Sequence, residues 1–176
     1  GNGEPTMHPE FPHIIDQTSR LRDRYGPQAK IAVLSNATMI DREPVRLALH
    51  KVDRNILKLD SAIDSTMALM NQPQKKRTVR ETIDLLKLFN GELVIQTMFL
   101  RGEYNGQTVD NTTPQEVEAW LAALREIKPR EVMIYTIDRN TPADHLEKVP
   151  YEEMQAIADR IHLQAGLEQT IISVAQ

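Results

Sequence analysis

The chain has 176 residues, 40% of them hydrophobic, which suffices for one domain with a core, and its 21 basic and 25 acidic side chains leave a formal charge of -4. That balance gives no global basic footprint of a nucleic-acid binder, and no apolar run approaches the roughly 18 residues of a membrane span. Cysteine is absent, which excludes disulfides, thiolate nucleophiles and any cysteine-held zinc or iron-sulfur cluster built by this chain alone.

The first stretch, "GNGEPTMHPEF", has no Met at its head and no charged-then-apolar leader. It reads as the interior of a longer protein, and a cytoplasmic one. Helical spacing follows over residues 11–25 and stops at Gly26-Pro27. The apolar run "KIAVLSN" (30–36) predicts a strand, residues 44–50 a helix, and "NILKLD" (55–60) a second strand. "QPQKKRTVR" gathers Lys75, Lys76, Arg77 and Arg80 before a helix over 78–89 that ends at Asn90-Gly91. A long strand is expected over 92–100 ("ELVIQTMFL"). Thr113-Pro114 with Glu116 reads as a helix start, and the helix runs to Ile127. A strand over 131–137, a helix over 151–165 ended by Gly166, and a last strand over 170–174 complete the chain.

The order is βαβα throughout, and near-continuous apolar strands suit a sheet buried on both faces. The expectation is one α/β domain over 1–176 with a parallel sheet; periodicity does not decide between an open sheet and a barrel. Either way the ligand site lies at the carboxyl ends of the strands. The residues there are polar: Gly3 and Glu4; Ser35, Asn36 and Thr38; Asp60 and Ser61; Gln96 and Thr97; Thr136, Asp138 and Arg139. They read as a common polar site, with ordinary turn chemistry as the alternative. A glycine lets a ligand approach the backbone and a following Glu can accept from an ammonium, although "GNGEPT" alone also fits a tight turn into a helix.

Taken in order, "GNGEPTMHPEF", "LSNATM", "LKLDSAIDSTMALMNQP", "ELVIQTMFLRG" and "PREVMIYTIDRNTPA" resemble segments of the radical S-adenosylmethionine superfamily. The resemblance is nearest to the small iron-sulfur oxidoreductases related to tRNA wyosine-synthesis enzymes, and covers about residues 1–161. It implies a partial six-unit (β/α) barrel, truncated at its N-terminal units. It also implies that Asn2, Gly3 and Glu4 stand for the Gly-Gly-Glu motif that holds the methionine amino group of the cofactor. Ser35 and Asn36 take the place of a Thr-Asn-Gly turn, with Ala37 replacing its glycine. Asp60 matches an aspartate near cofactor or substrate, and Gln96 and Met98 lie on a strand lining the same cavity.

The superfamily's CxxxCxxC loop, which holds a [4Fe-4S] cluster, has no counterpart here. The resemblance therefore implies a cluster held by missing upstream residues, reductive cleavage of S-adenosylmethionine in the intact parent, and an inactive isolated chain. The substrate stays unassigned, with RNA one candidate, and the open edge near Gly1 suits a homodimer. The alternative is a cluster-less α/β protein binding a nucleotide or adenosyl ligand at the strand ends.

Other tempting residues read as structural. His8 and His13 are five apart, wrong for a helical metal pair, and His50, His145 and His162 are scattered; no metal site is expected. The Lys/Arg run reads as a solvated loop or a phosphate contact. Arg139 reads as an anion contact or half of a structural turn with Asp138. Met67, Met70 and Met98 read as gap-filling core and Trp120 as a helix anchor.

Overall fold

The computed structural model describes residues 3–71, 77–137, 145–167 and 170–175. Five strands, β1 (Ala32–Ser35), β2 (Arg54–Lys58), β3 (Val94–Met98), β6 (Glu131–Tyr135) and β8 (Ile171–Ala175), form a parallel sheet in the order β1-β2-β3-β6-β8. The sheet is open, with β1 and β8 at its edges. The parallel α/β expectation holds, as does each of the five expected strands within a few residues.

The helices α1 (Phe11–Tyr25), α2 (Glu43–Leu49), α4 (Val79–Lys87), α5 (Pro114–Ile127) and α6 (Tyr151–Ala165) lie where their spacing predicts them. Each gives its apolar side to one core with alternate strand residues Val33, Leu57, Ile95, Val132 and Ile134. Because strand side chains alternate, the residues between these, including Leu34, Lys58, Gln96, Met133 and Tyr135, share the other face. The five named are at least partly exposed, Leu34 at 54%, while Ile56 and Val94 on the same face are buried. The helix starts are chemical. Thr78 and Glu81 form a reciprocal capping box on α4, and the Thr113 side chain accepts from Glu116 N ahead of Pro114. Trp120 is buried, donates from Nε1 to Thr97 Oγ1 at 3.0 Å and meets Phe99 edge-on, so it does anchor α5 to the sheet.

The βαβα order breaks once. The long strand expected over 92–100 ends at Met98, and β4 (Leu100–Tyr104) leaves for a second sheet with β5 (Gln107–Asp110) and β7 (His145–Lys148), antiparallel in the order β5-β4-β7. The cause is local. Met98 N donates to the Asp60 carboxylate, Phe99 is buried against Trp120, and Asn111 Oδ1 takes Leu100 N. The hairpin turns on Asn105-Gly106, both with positive φ (51° and 74°), the signature of a two-residue hairpin loop. A short helix, α3 (Asp64–Asn71), was not expected either; its Asp64 carboxylate accepts from Val79 N and so ties α3 to the start of α4. Met70 and Met98 pack with the second sheet's Leu100, Val109, Tyr104 and Leu146, while Met67 packs on the main core.

Gly102 governs the second sheet. At φ 135° a side chain is strained, and a Cβ there would lie 2.0 Å from His145 O and 2.9 Å from Leu146 Cα. Gly102→Ala is expected to detach β7, costing upward of about 2 kcal/mol. Hydrogen exchange should then show amides 145–148 losing protection while those of α5 keep theirs.

Candidate functional site

The opening turn sits over the carboxyl end of β1. Glu4 caps a 3-10 turn at Pro5–Met7 and reaches across to the end of the strand. Its Oε1 accepts from Thr6 N (3.1 Å), Thr6 Oγ1 and Ser35 Oγ (2.7 Å), and its Oε2 accepts from Asn36 N (2.7 Å). A carboxylate offers about four acceptor positions. These are about two on each oxygen: Oε1 is filled, with three donors crowded onto it, whereas Oε2 takes only Asn36 N and keeps one position open. Gly3 precedes it at φ 124°, and nothing lies within 4 Å of where a Cβ would stand. The result is a fixed carboxylate with one open acceptor beside bare backbone.

Asn36 begins a tight turn. Its side-chain Oδ1 accepts from Thr38 N at 2.9 Å, and Ala37 sits at φ 61° where glycine is at ease. Arg77 holds the turn from outside: Nη1 donates to Ala37 O (3.1 Å), Nη2 donates to Thr38 O (3.0 Å), and Nη2 pairs with Asp41 at 3.1 Å. The expected strand-end turn is therefore real, and its glycine conformation is met by a buried alanine whose methyl packs in the core.

The ends of β2 and β3 are knotted together. Asp60 is 1% exposed; its Oδ1 accepts from Met98 N at 2.9 Å. Its Oδ2 faces Lys58 Nζ at 3.0 Å as an ion pair that lacks the alignment of a hydrogen bond. Buried Asn111 donates from Nδ2 to Asp60 O (2.7 Å) and Met98 O (2.8 Å). Burial pulls the Lys58 ammonium down, but the Asp60 charge and the neighbouring Tyr135 hydroxyl outweigh it, so Lys58 titrates above the ordinary lysine value. Burial pushes the Tyr135 phenol up, partly offset by Lys58. Gln96 pairs in register between Lys58 and Met133 and is half-buried on the same open face.

The expected polar set thus divides. Glu4, Asn36, Asp60, Gln96 and Met98 gather at the carboxyl ends around the open face, with Gly3 beside them. Ser35, Thr97 and Thr136 are buried and structural: Ser35 braces Glu4, Thr97 donates to Leu59 O, and Thr136 accepts from Val149 N. Ser61 donates to buried Glu116 at 2.6 Å. Asn2, Asp138, Arg139, Lys75 and Lys76 lie outside the described residues. Arg77 clamps the turn with part of its guanidinium, and Arg80 pairs with Asp84 and Glu126. Among the described residues no group of three His, Cys, Asp or Glu could hold a metal ion, and no helix is long and apolar enough to cross a membrane. Lys58, Tyr135 and Asn111 were missed, and Arg77 was noted only as part of a basic run. For Lys58 a signal existed, a cation inside an otherwise apolar strand.

No protein-family model matches the chain. It is 29% identical to the UPF0026 protein slr1464 of Synechocystis sp. over 81% of this chain and 50% of that protein. It is 22% identical to the GTPase Obg of Brachyspira hyodysenteriae over 99% of this chain and 25% of that one. The chain spans half or less of the length of these curated relatives. Among solved structures, its fold resembles a domain of pyruvate-formate lyase-activating enzyme from Bacteroides vulgatus, with a TM-score of 0.68 and 14% identity, covering 100% of this chain and 96% of that one. It also resembles Streptococcus suis SuiB bound to S-adenosylmethionine, with a TM-score of 0.64 and 15% identity, covering 98% of this chain and 37% of that one. The class these likenesses define is an α/β domain built on a parallel sheet.

The Lys58–Asp60 pair gives a pH signature. With its folded pKa raised above the ordinary 10.5, Lys58 contributes stability that is fully present below that value and is lost as pH rises through the folded pKa. Urea unfolding from neutral to strongly alkaline pH should show this loss in the wild type and a flatter profile in Lys58→Met. At pH 7 that variant should lose about 3 to 5 kcal/mol, because Asp60 is left buried without its cation; equal profiles would show that the pair does not couple to folding.

Proposed function

We propose that this chain is the S-adenosylmethionine-binding portion of a radical S-adenosylmethionine enzyme. The observation that carries the reading is Glu4: a carboxylate fixed at the strand ends by four donors, with one acceptor open beside unobstructed Gly3. The ordered motif resemblance supports it. So do the fold likenesses to a pyruvate-formate lyase-activating enzyme domain and to SuiB, whose structure contains S-adenosylmethionine. The GTPase name of one relative finds no support in this chain, which has no GxxxxGK[ST] phosphate loop.

In this reading the open Oε2 position of Glu4 accepts from the methionine ammonium, and Gly3 lets the ligand lie against the backbone. Asn2 joins this loop. Ser35 and Asn36 keep the carboxylate in place. Gln96 and Met98, both partly exposed at the strand ends, border the cofactor on the open face, and buried Asp60 acts behind them through Met98 N and Lys58. S-adenosylmethionine held here would supply a 5'-deoxyadenosyl radical, with methionine leaving, once a reductant from outside this chain delivered one electron; the chain's own part is to bind, orient and shield. A [4Fe-4S] cluster does not fit the residues present, since there is no cysteine. Its thiolates must come from outside residues 1–176, so this chain alone is inactive.

The reading includes a cytoplasmic location, an unassigned substrate with RNA as one candidate, and a homodimer through the β1 edge. A closer tie to the wyosine-synthesis relatives rests on the motifs alone. The absence of cysteine favours a second reading, an adenosyl- or nucleotide-binding protein without a cluster.

Calorimetric titration separates these. S-adenosylmethionine should bind the chain, and Glu4→Gln should weaken it about tenfold or more by losing the charge-assisted bond to the ammonium. Adenosine and ATP should bind far more weakly. Adenosine or ATP bound as tightly as S-adenosylmethionine, with Glu4→Gln indifferent, would favour the second reading; no binding of any of them would refute both.

A further inference from the structure

A cavity of about 250 Å³ opens beside the Asn36–Thr38 turn, between it and α3. Its lining includes Asn36, Thr38, Lys58, Met70, Asn71 and Arg77. Among the described residues both charged groups in the lining are cations, and no carboxylate lines it. Each cation is held by an acid outside the lining, Lys58 by Asp60 at 3.0 Å and Arg77 by Asp41 at 3.1 Å. Arg77 is further fixed by the two turn carbonyls. Cations tethered in this way lose little freedom when they bind a ligand.

Donors are left over. Lysine carries three N–H groups and arginine five. Among the described residues, Asp60 and Tyr135 face the Lys58 ammonium, while Ala37 O, Thr38 O and Asp41 engage Arg77. That leaves about one donor on Lys58 and two on Arg77. Asn36 and Asn71 add side-chain amides, and Met70 supplies a polarizable, apolar wall. Charged donors, amides and a thioether surface together suit an anionic group on a small organic body.

Another cavity, of about 540 Å³, lies at the opposite ends of the strands, with Arg125, Lys128 and Arg130 in its lining. Arg125 and Lys128 stand at the C-terminal end of α5, Arg125 also donating to Gln164 O in the last turn of α6, while Arg130 donates to Asp53 O and pairs with Glu92. They are accounted for by the fold.

We infer that the cavity beside the Asn36–Thr38 turn is a subsite for the carboxylate or phosphate of a small organic ligand, separate from the place where Glu4 meets an ammonium. Asn36 joins the two, with its backbone N–H on Glu4 and its side chain in the cavity lining. Assigning the subsite to a second substrate rests on the proposed function; the binding of an anion there does not.

The test is a titration of the ¹⁵N-labelled chain with inorganic phosphate, and separately with acetate, at constant ionic strength. Saturable shifts of the Asn36, Thr38 and Asn71 amides and of Arg77 Nε are expected. Arg77→Gln should weaken binding about tenfold. The exposed Asn71→Leu should weaken it severalfold without disturbing the fold, and Arg80→Gln, which removes an exposed cation outside the cavity, should leave it unchanged. Saturation by phosphate alone assigns a phosphate ester, and saturation by both probes assigns a carboxylate or phosphate. Shifts that do not saturate, shifts spread over all surface cations, or displacement of phosphate by S-adenosylmethionine would overturn the inference. Phosphate binding in a chain that ignores S-adenosylmethionine would uphold it while removing the proposed function.

Discussion

Everything at the candidate site depends on how two neighbouring strands are made to stop. A strand that ends inside a protein leaves backbone N–H and C=O groups that must find partners. At the ends of β2 and β3 those partners are Asp60 and Asn111, which take Met98 N, Leu100 N, Asp60 O and Met98 O among them. The knot turns the chain out of the parallel sheet at Phe99 and into the antiparallel one. It also fixes the only carboxylate buried at the end of a sheet strand among the described residues, and that carboxylate fixes Lys58. Chain path and site electrostatics therefore share one cause.

The same logic holds at the end of β1. Glu4 draws its four hydrogen bonds from its own turn and from Ser35 and Asn36, so the opening turn is bound to the strand through charge-assisted contacts. Arg77 holds the neighbouring turn in a left-handed conformation that costs an alanine about 1 to 2 kcal/mol relative to glycine. Packing of the Ala37 methyl in the core offsets part of that cost. A strained, clamped turn beside a braced carboxylate is a preorganised arrangement, in which little remains to be ordered when a ligand arrives.

Apart from α3, the helices were legible in the sequence because their signals are local. Thr113-Pro114-Glu116, Asn90-Gly91 and Gly166 mark their ends independently of tertiary structure. The parallel strands were legible as apolar runs. The break at Phe99 was not, since "ELVIQTMFL" has no breaker and the chain turns there because of Asp60 and Asn111, distant in sequence. The Asn105-Gly106 hairpin did carry a local signal, which the reading of 92–100 as one strand obscured. At the site, Glu4, Asn36 and Asp60 stood out as polar residues at strand ends. Ser35, Thr97 and Thr136 looked the same, because a hydroxyl that braces the fold and one that meets a ligand differ only in the face they occupy. Arg77 was hidden in a basic run whose composition suggested solvent or phosphate, and its clamp on two backbone carbonyls carried no signal in the sequence.

The central claim is that the strand-end surface beside Glu4 holds S-adenosylmethionine. The most direct measurement is a ¹⁵N NMR map of the chain titrated with that molecule. The account predicts saturable shifts centred on Gly3, Glu4, Thr6, Asn36 and Met98, with residues 90–92 and 166–167 at the opposite strand ends unmoved. Shifts centred on that opposite end, or none at millimolar ligand, would contradict it.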